Sequence, residues 1–334
     1  MRKFTIIIVI LDIIALIGFF LFYGPISDIR TWWINTSMNT MSHKYFAYIF
    51  YNDKMIEKTM NENYYVPLTE QVDLDSIIID TEPKYTYENE YDKEILIRED
   101  GNNDYKLIET KVGDYDAFLV AIYDPSKIHV ITKAKLGTGS YGENMVSMCK
   151  RTKSKVCINA GRFKQDSHGL SSDYPVGYII KDSEIVWASD SNRKGELIGF
   201  NKDNKLVLTK ATGVEALEMG IRDAVEFGPF LIINGEAMKT IGNGRSGNAP
   251  RVAIAQRKDG IVLFLVTNTK FVYSGPNYTQ MIEVLLKYGA YNAANLDGGS
   301  SATLVIENKL INTPRDNGKG VINPRGTVSG FALK

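Results

Sequence analysis

One stretch near the C-terminus constrains the fold more than any other: Tyr288-Gly-Ala-Tyr-Asn-Ala-Ala-Asn-Leu-Asp297-Gly-Gly-Ser-Ser-Ala-Thr-Leu-Val-Ile306. The residues before it, Tyr278 to Lys287, have helical character; Ala293 to Leu296 reads as a short buried strand and Thr303 to Glu307 as a β-branched one. Between the strands the apolar run stops at Asp297 and two glycines follow. Glycine adopts positive φ without steric cost, so the N–H groups of Gly298 and Gly299 can converge on an anion, with Ser300 and Ser301 adding hydroxyl donors. The same residues also suit a tight hairpin.

The rest of the chain sets this stretch in context. Phe118–Tyr123, 128–134, 156–159, 178–181, 184–188, 197–201, 205–209, 230–233, 251–256 and 261–267 read as strands. Residues 142–151 and 214–219 read as helices. Few helices among many strands argue for an α+β fold, a largely antiparallel mixed sheet core with a few packed helices, preceded by an N-terminal transmembrane helix. The domain division expected is a membrane anchor over 1–30, an extracytoplasmic helix and lead-in over 31–104, and a catalytic domain over 105–334.

Phe4 to Tyr23 is almost wholly Ile, Leu, Phe and Val, long enough to cross a bilayer. Asp12 interrupts it at a cost of about 3 kcal/mol, which the apolar neighbours offset. Arg2 and Lys3 precede it and Arg30 alone follows closely, so the positive-inside bias puts the N-terminus in the cytoplasm and the remainder outside, in a single-pass membrane protein. No small-x-small cleavage site is evident around Gly24 to Ser27, which favours an uncleaved anchor over a signal peptide. Asn35 to Met60 reads as one helix capped by Thr36 or Ser37, with Met38, Met41, Tyr45, Tyr48 and Ile49 as a stripe packed on the catalytic domain or on lipid. Residues 61–101 are polar, acidic and Tyr-rich, and read as a lightly structured lead-in.

Lys plus Arg equal Asp plus Glu at 39 each, so no global charge favours nucleic acid. Cys149, Cys157, His43, His129 and His168 show no zinc-ligand spacing. Cys157 lies in an apolar strand, where a buried free thiol is the default; a Cys149–Cys157 disulfide needs an oxidising compartment. No cofactor is expected, and a divalent cation such as Ca²⁺ held by oxygens at Asp297 is left open.

Two segments rhyme: helix 142–151 leading to Val156-Cys-Ile-Asn159-Ala-Gly161, and helix 278–287 leading to Asn295-Leu-Asp297-Gly. The pairing puts Asn159 and Asp297 at equivalent strand ends of one pocket. Gly137-Thr-Gly-Ser-Tyr-Gly142 imitates a dinucleotide loop, but Asn159 stands where that motif needs an acid. Glu226 precedes a Gly-Pro turn and is an alternative base to Asp297. Arg251, after the loop that contains Arg245, and Arg325, after Asn323-Pro324, stand at loop–strand junctions suited to bidentate phosphate binding. A serine hydrolase built on Ser300 or Ser301 with His168 lacks the Gly-x-Ser-x-Gly elbow.

Cys157-Ile-Asn159-Ala-Gly161-Arg-Phe163, Gly228-Pro229-Phe-Leu-Ile-Ile-Asn-Gly235, Pro250-Arg251-Val, Asn295-Leu-Asp297-Gly-Gly-Ser-Ser and Arg325-Gly-Thr-Val together resemble the phosphodiester glycosidase family, whose bacterial members include proteins related to exopolysaccharide biosynthesis. The resemblance covers roughly Tyr105 to Lys334. It departs at Ser300, where the family has a third glycine, at Arg162, where an aromatic residue is usual, and at Asn268-Thr269, where the family has Gly-Arg. It implies hydrolysis of a sugar-1-phosphodiester in envelope glycan metabolism, with Asp297 and Glu226 as candidate catalytic carboxylates. Asn159, Gly161, Arg251, Gly298, Gly299, Ser300 and Arg325 are the candidate substrate or phosphate contacts. The alternative is a glycan-binding or polysaccharide-assembly protein on the same fold.

Overall fold

The structure, a computed structural model, describes residues 2–334 apart from 26, 40–43, 100, 166–170, 245, 248, 270–273 and 314–323. Met41, His43, His168, Arg245 and Asn323 lie outside the described residues. The chain divides into two compact units, residues 1–65 with 240–248, and residues 66–239 with 249–334.

The first unit begins with the helix Arg2–Tyr23, whose segment Phe4–Tyr23 is long and apolar enough to cross a membrane. At its end Phe22 stacks on Phe50 at 4.2 Å and meets Trp33 edge-on at 5.0 Å. Polar atoms of these rings are satisfied by backbone: Tyr51 Oη donates to the Phe22 carbonyl and Trp33 Nε1 to that of Phe46. The single helix expected over 35–60 is instead divided among Ser27–Met38, Tyr45–Phe50 and Asp53–Glu62. Thr36 and Ser37 lie inside the first of these. The cap is Asn52, whose side chain accepts from the Met55 N–H and opens the last helix. Of the stripe, Met38 packs on the cluster that contains Ile34, Ala47 and Ile56, while Tyr45, Tyr48 and Ile49 are exposed.

The second unit takes in residues 66–104 as well as the expected catalytic region apart from 240–248. The helix Glu90–Leu96 buries Ile95 and Leu96 and places Asp92 2.6 Å from Arg257, so this part of the lead-in is structured. A seven-stranded sheet runs in the order Glu236–Ala237, Phe230–Ile233, Ala290–Leu296, Val252–Arg257, Val262–Thr267, Tyr115–Ile122, Tyr105–Val112. One five-stranded sheet runs Lys309–Leu310, Leu304–Ile306, Val156–Asn159, Ser329–Leu333, Ile128–Thr132. The other runs Leu206–Ala211, Gly195–Asn201, Ile221–Glu226, Tyr178–Lys181, Glu184–Ala188. The strand pairs are antiparallel, as local hairpins and returns make them. All three sheets contribute to one core, which contains Ile158, Ile198, Phe200, Val225, Ile254, Phe264, Ala294, Leu296 and Phe331. Helix Tyr278–Lys287 lies where expected, opened by a reciprocal cap between Asn277 and Gln280.

Two local expectations are corrected. Cys149 and Cys157 form a disulfide rather than free thiols: the helix Met145–Thr152 packs beside its following strand and brings the Cα atoms to 6.0 Å. The Gly137–Gly142 loop does gather its amides around an anion, but that anion is the protein's own Asp173. The N–H groups of Thr138 and Gly139 donate to its carboxylate at 2.8 and 3.1 Å, joined by the Thr138 and Ser140 hydroxyls. Burial pushes this carboxyl up, yet these donors outweigh it and hold its pKa well below the usual range.

A depressed pKa contributes stability that is present above about pH 4 and lost as pH falls through the folded-state value. Asp173→Ala is therefore expected to lower stability at pH 7 by about 2–4 kcal/mol, leaving several buried donors unpaired. Thermal unfolding of the two proteins checks this; equal melting temperatures would show that the loop does not depend on the carboxylate.

Candidate active site

The Asp-Gly-Gly turn is not a hairpin. Ala290–Leu296 belongs to the seven-stranded sheet and Leu304–Ile306 to a five-stranded one, so Asp297 sits where the chain passes between sheets. The fully buried Asn159 fixes the crossing: its Nδ2 donates to the Asp297 carbonyl at 2.6 Å and its Oδ1 accepts from the Thr303 N–H at 2.9 Å. The Asp297 N–H donates to the Ala160 carbonyl at 3.0 Å. The two rhyming strand ends thus meet. Gly161 is held in the same region by its N–H on Ser329 Oγ, 3.1 Å away.

The Gly298 and Gly299 amides do not point to a substrate. Gly299 N–H donates to the Pro250 carbonyl at 2.8 Å, and the Gly298 N–H is turned to Asp297's own carboxylate. Gly298 lies so close to Pro250 that an added Cβ would be 2.5 Å from its carbonyl oxygen. The glycines pack the turn rather than form an anion nest. Ser300 contributes its carbonyl, which accepts from the Arg325 N–H at 3.2 Å.

Burial raises the Asp297 carboxyl to about 6, against the weaker lowering influences of the Ser301 hydroxyl and then the Arg325 and Arg162 guanidiniums. Ser301 is near enough to matter, yet neither Ser301 Oγ nor Asp297 Oδ2 makes a hydrogen bond of ordinary geometry. Arg251 turns elsewhere: its Nε donates to the Pro276 carbonyl at 3.2 Å and its guanidinium lies over Tyr278. Arg162, noted in the sequence only as a departure, takes the place beside the carboxyl. It lies 5.2 Å from the Phe227 ring centre, is exposed, and its guanidinium makes no hydrogen bond or ion pair among the described residues.

Glu226 is placed away from this group. In Ile221–Glu226, Val225 enters the core shared with Leu296, whereas Ala224 enters the core on the opposite face. The two-residue period puts Glu226 with Ala224, where it pairs with Arg193. As for metals, His129, Asp182 and Asp223 lie within ligand spacing of one another. Arg222 and Lys181 already pair with those two acids. At Asp297 the neighbouring charges are guanidiniums, an arrangement that attracts anions and opposes a cation.

The sequence profile of the phosphodiester glycosidase family matches residues 152–333, more than half of the chain. The chain belongs to the phosphodiester glycosidase family. Among curated relatives, the SPbeta prophage-derived uncharacterized protein YomE of Bacillus subtilis (strain 168) is 29% identical over 201 residues, covering 58% of this chain and 30% of that protein. Human N-acetylglucosamine-1-phosphodiester alpha-N-acetylglucosaminidase is 25% identical over 179 residues, 48% of this chain and 34% of the human protein. This chain thus spans about a third of the length of these family relatives. The zebrafish N-acetylglucosamine-1-phosphodiester alpha-N-acetylglucosaminidase catalytic domain has the same fold, with a TM-score of 0.57 at 24% identity over 69% of this chain and 81% of that one.

The pKa of Asp297 has a stability consequence. A carboxyl at about 6 when folded and near 4 when unfolded holds more protons in the folded state between those values, so stability falls as pH rises through that window. Asp297→Asn is expected to melt higher than the wild type at pH 8, by of the order of 2 kcal/mol, with the difference closing near pH 4. Thermal scans across pH test this; a lower melting temperature for the variant at pH 8 would show that the folded protein does not strain against this charge.

Proposed function

We propose that the protein is a membrane-anchored, extracytoplasmic glycosidase that hydrolyses a sugar-1-phosphodiester in envelope glycan or exopolysaccharide metabolism. The carrying observation is the exposed Arg162, whose guanidinium has no hydrogen-bonding partner among the described residues and acts with Arg325 on the buried carboxyl of Asp297. Guanidiniums bind phosphate oxygens in bidentate fashion, and the family's human member is named for a sugar-1-phosphodiester substrate.

A phosphomonoester is a weak base, so its departure from the anomeric carbon demands charge stabilisation first. Arg162 and Arg325 supply it. Asp297, ionised above about pH 6, accepts a proton from the attacking water. Asn159 is a positioning residue: both ends of its amide hold the turn that presents the acid. The helix Phe4–Tyr23, preceded by Arg2 and Lys3, supports an anchor with the rest of the chain outside, and the Cys149–Cys157 disulfide suits an oxidising compartment.

The test incubates the full-length chain, purified in detergent, with a panel of sugar-1-phosphodiesters and measures free sugar and phosphomonoester together. Turnover is expected, with Asp297→Asn lowering kcat by about 100-fold or more. Arg162→Ala is expected to raise KM by about 10-fold, the loss of one charge-assisted contact. For the wild type kcat/KM should rise with pH through about 6, and the limb in kcat should lie higher, because bound phosphate draws on the guanidiniums that favour ionised Asp297. Binding of the diesters with no sugar released would replace the hydrolase by a glycan-binding or assembly protein.

A further inference from the structure

The sheet that contains Gly195–Asn201 is apolar on both faces, so alternation assigns each of its acids to one side. Ile198 and Phe200 enter the core shared with Ala160 and Leu296, and Leu197 enters the core on the other face. The two-residue period therefore turns Glu196 toward the side of Asp297 and Arg162, as it turns Glu226 away. Glu196 is fixed there by backbone and by a missing side chain. Its carbonyl accepts from the Phe227 N–H at 3.1 Å, and its Oε2 lies against Gly228, where an added Cβ would be 2.2 Å away. The Gly228 carbonyl in turn accepts from Asn295, two residues before Asp297, at 3.0 Å.

The carboxyl group of Glu196 makes no hydrogen bond or ion pair among the described residues. The charges acting on it are Lys210, its partner on the neighbouring strand, Arg162, which precedes Phe163–Gln165, and least of all Glu226 from the opposite face. Burial dominates these and raises its pKa. Arg162 is the shared neighbour, since its charge acts on both Glu196 and Asp297.

We propose that Glu196 is the second catalytic carboxyl of this site, a general acid that protonates the phosphate oxygen leaving the anomeric carbon. The inference rests on the hydrolase reading above. Water's oxygen bonds to C1 while the C1–O bond to phosphorus breaks, its electron pair staying on the phosphate oxygen. Glu196 gives that oxygen its proton, Asp297 takes one from the water, and solvent returns the proton from Asp297 to Glu196. A neutral carboxyl can lie against a phosphodiester anion where a carboxylate is repelled, and two acids in opposite protonation states are what glycoside hydrolysis requires.

The test uses the full-length chain with a sugar-1-phosphodiester that the wild type turns over. E196Q should lower kcat about 100-fold and abolish the alkaline limb of the pH profile, with its melting temperature at pH 7 unchanged or higher. E196D, which keeps the proton but withdraws it by one methylene, should keep the alkaline limb at reduced kcat. E196Q with kcat within about 2-fold of wild type and an intact alkaline limb would overturn the assignment. Should E196Q fail to fold, E196D decides: a kcat equal to wild type overturns the proposal, and a reduced kcat with the limb retained supports it. A wild type that releases no sugar from any diester would overturn the hydrolase reading and this assignment together; wild-type turnover indifferent to Glu196 would sink this assignment alone.

Discussion

One buried amide holds the site in place. Asn159 has no exposed surface, and its donor and acceptor are spent on the backbone of two different segments, the Asp297 carbonyl and the Thr303 N–H. Those segments lead into different sheets, so the amide sets the path of the chain at the crossing. An aspartate there would lack the donor, and an apolar residue would leave both backbone groups buried and unpaired, at about 1–3 kcal/mol each. The glycines that follow serve the same end. They let the turn press against Pro250 and Arg251, and their amides close it from within. The backbone of the turn is held by Asn159, Ala160 and Pro250, while Asp297 Oδ2 and Ser301 Oγ keep no hydrogen-bond partner of ordinary geometry among the described residues.

That division explains where the charges lie. Asp297 is placed at the edge of the main apolar core, and desolvation rather than any partner dominates its titration. A carboxyl in such a place destabilises the fold once ionised, a penalty that a merely structural residue would not retain and that a base working near neutral pH requires. The two guanidiniums moderate the penalty without removing it. Asp173 is the contrast within the same unit: fully buried, it is surrounded by amide and hydroxyl donors that keep it ionised.

Much of the fold was legible in the sequence, and the limits have physical causes. Many of the strands declare themselves by β-branched and aromatic runs, and helix Tyr278–Lys287 by its spacing, whereas Phe163–Gln165, Ser171–Pro175, Ile221–Glu226 and Ser329–Leu333 carry no such run in the sequence. Asp297 and Asn159 could be singled out because an acid or amide at the end of an apolar run, with glycine close behind, is a local pattern, and Arg325 because it stands at a loop–strand junction. Glu196 could not. Its strand buries side chains on both faces, so Gly195-Glu-Leu-Ile-Gly-Phe shows no polar–apolar alternation that would tell which face meets the site. Glu226, beside a recognisable Gly-Pro turn, attracted the role, yet it lies one residue out of phase. Asp173 was equally hidden, since it reaches a loop more than thirty residues earlier in the chain. The division of the helix expected over 35–60 lacked a Gly or Pro break, and only the Asn52 side chain marks where the last part begins.

The charges of the site also couple binding to chemistry through a proton count. Take Arg162, Arg325, Asp297 and Glu196 as the four groups nearest the reacting bond on the reading proposed here. With both acids ionised the set is neutral and holds a phosphodiester monoanion weakly. With both protonated it attracts the anion strongly but lacks a base. Only the singly protonated state combines a net positive charge with one proton donor and one acceptor. Burial lifts both carboxyls; the Arg325 and Arg162 guanidiniums oppose it at Asp297, and Lys210 and then Arg162 oppose it at Glu196. An aromatic residue at position 162 would remove the charge that opposes burial at both acids, leaving Arg325 at Asp297 and Lys210 at Glu196. Arginine there lowers both carboxyls, and on the reading proposed here the same side chain then meets the incoming phosphate.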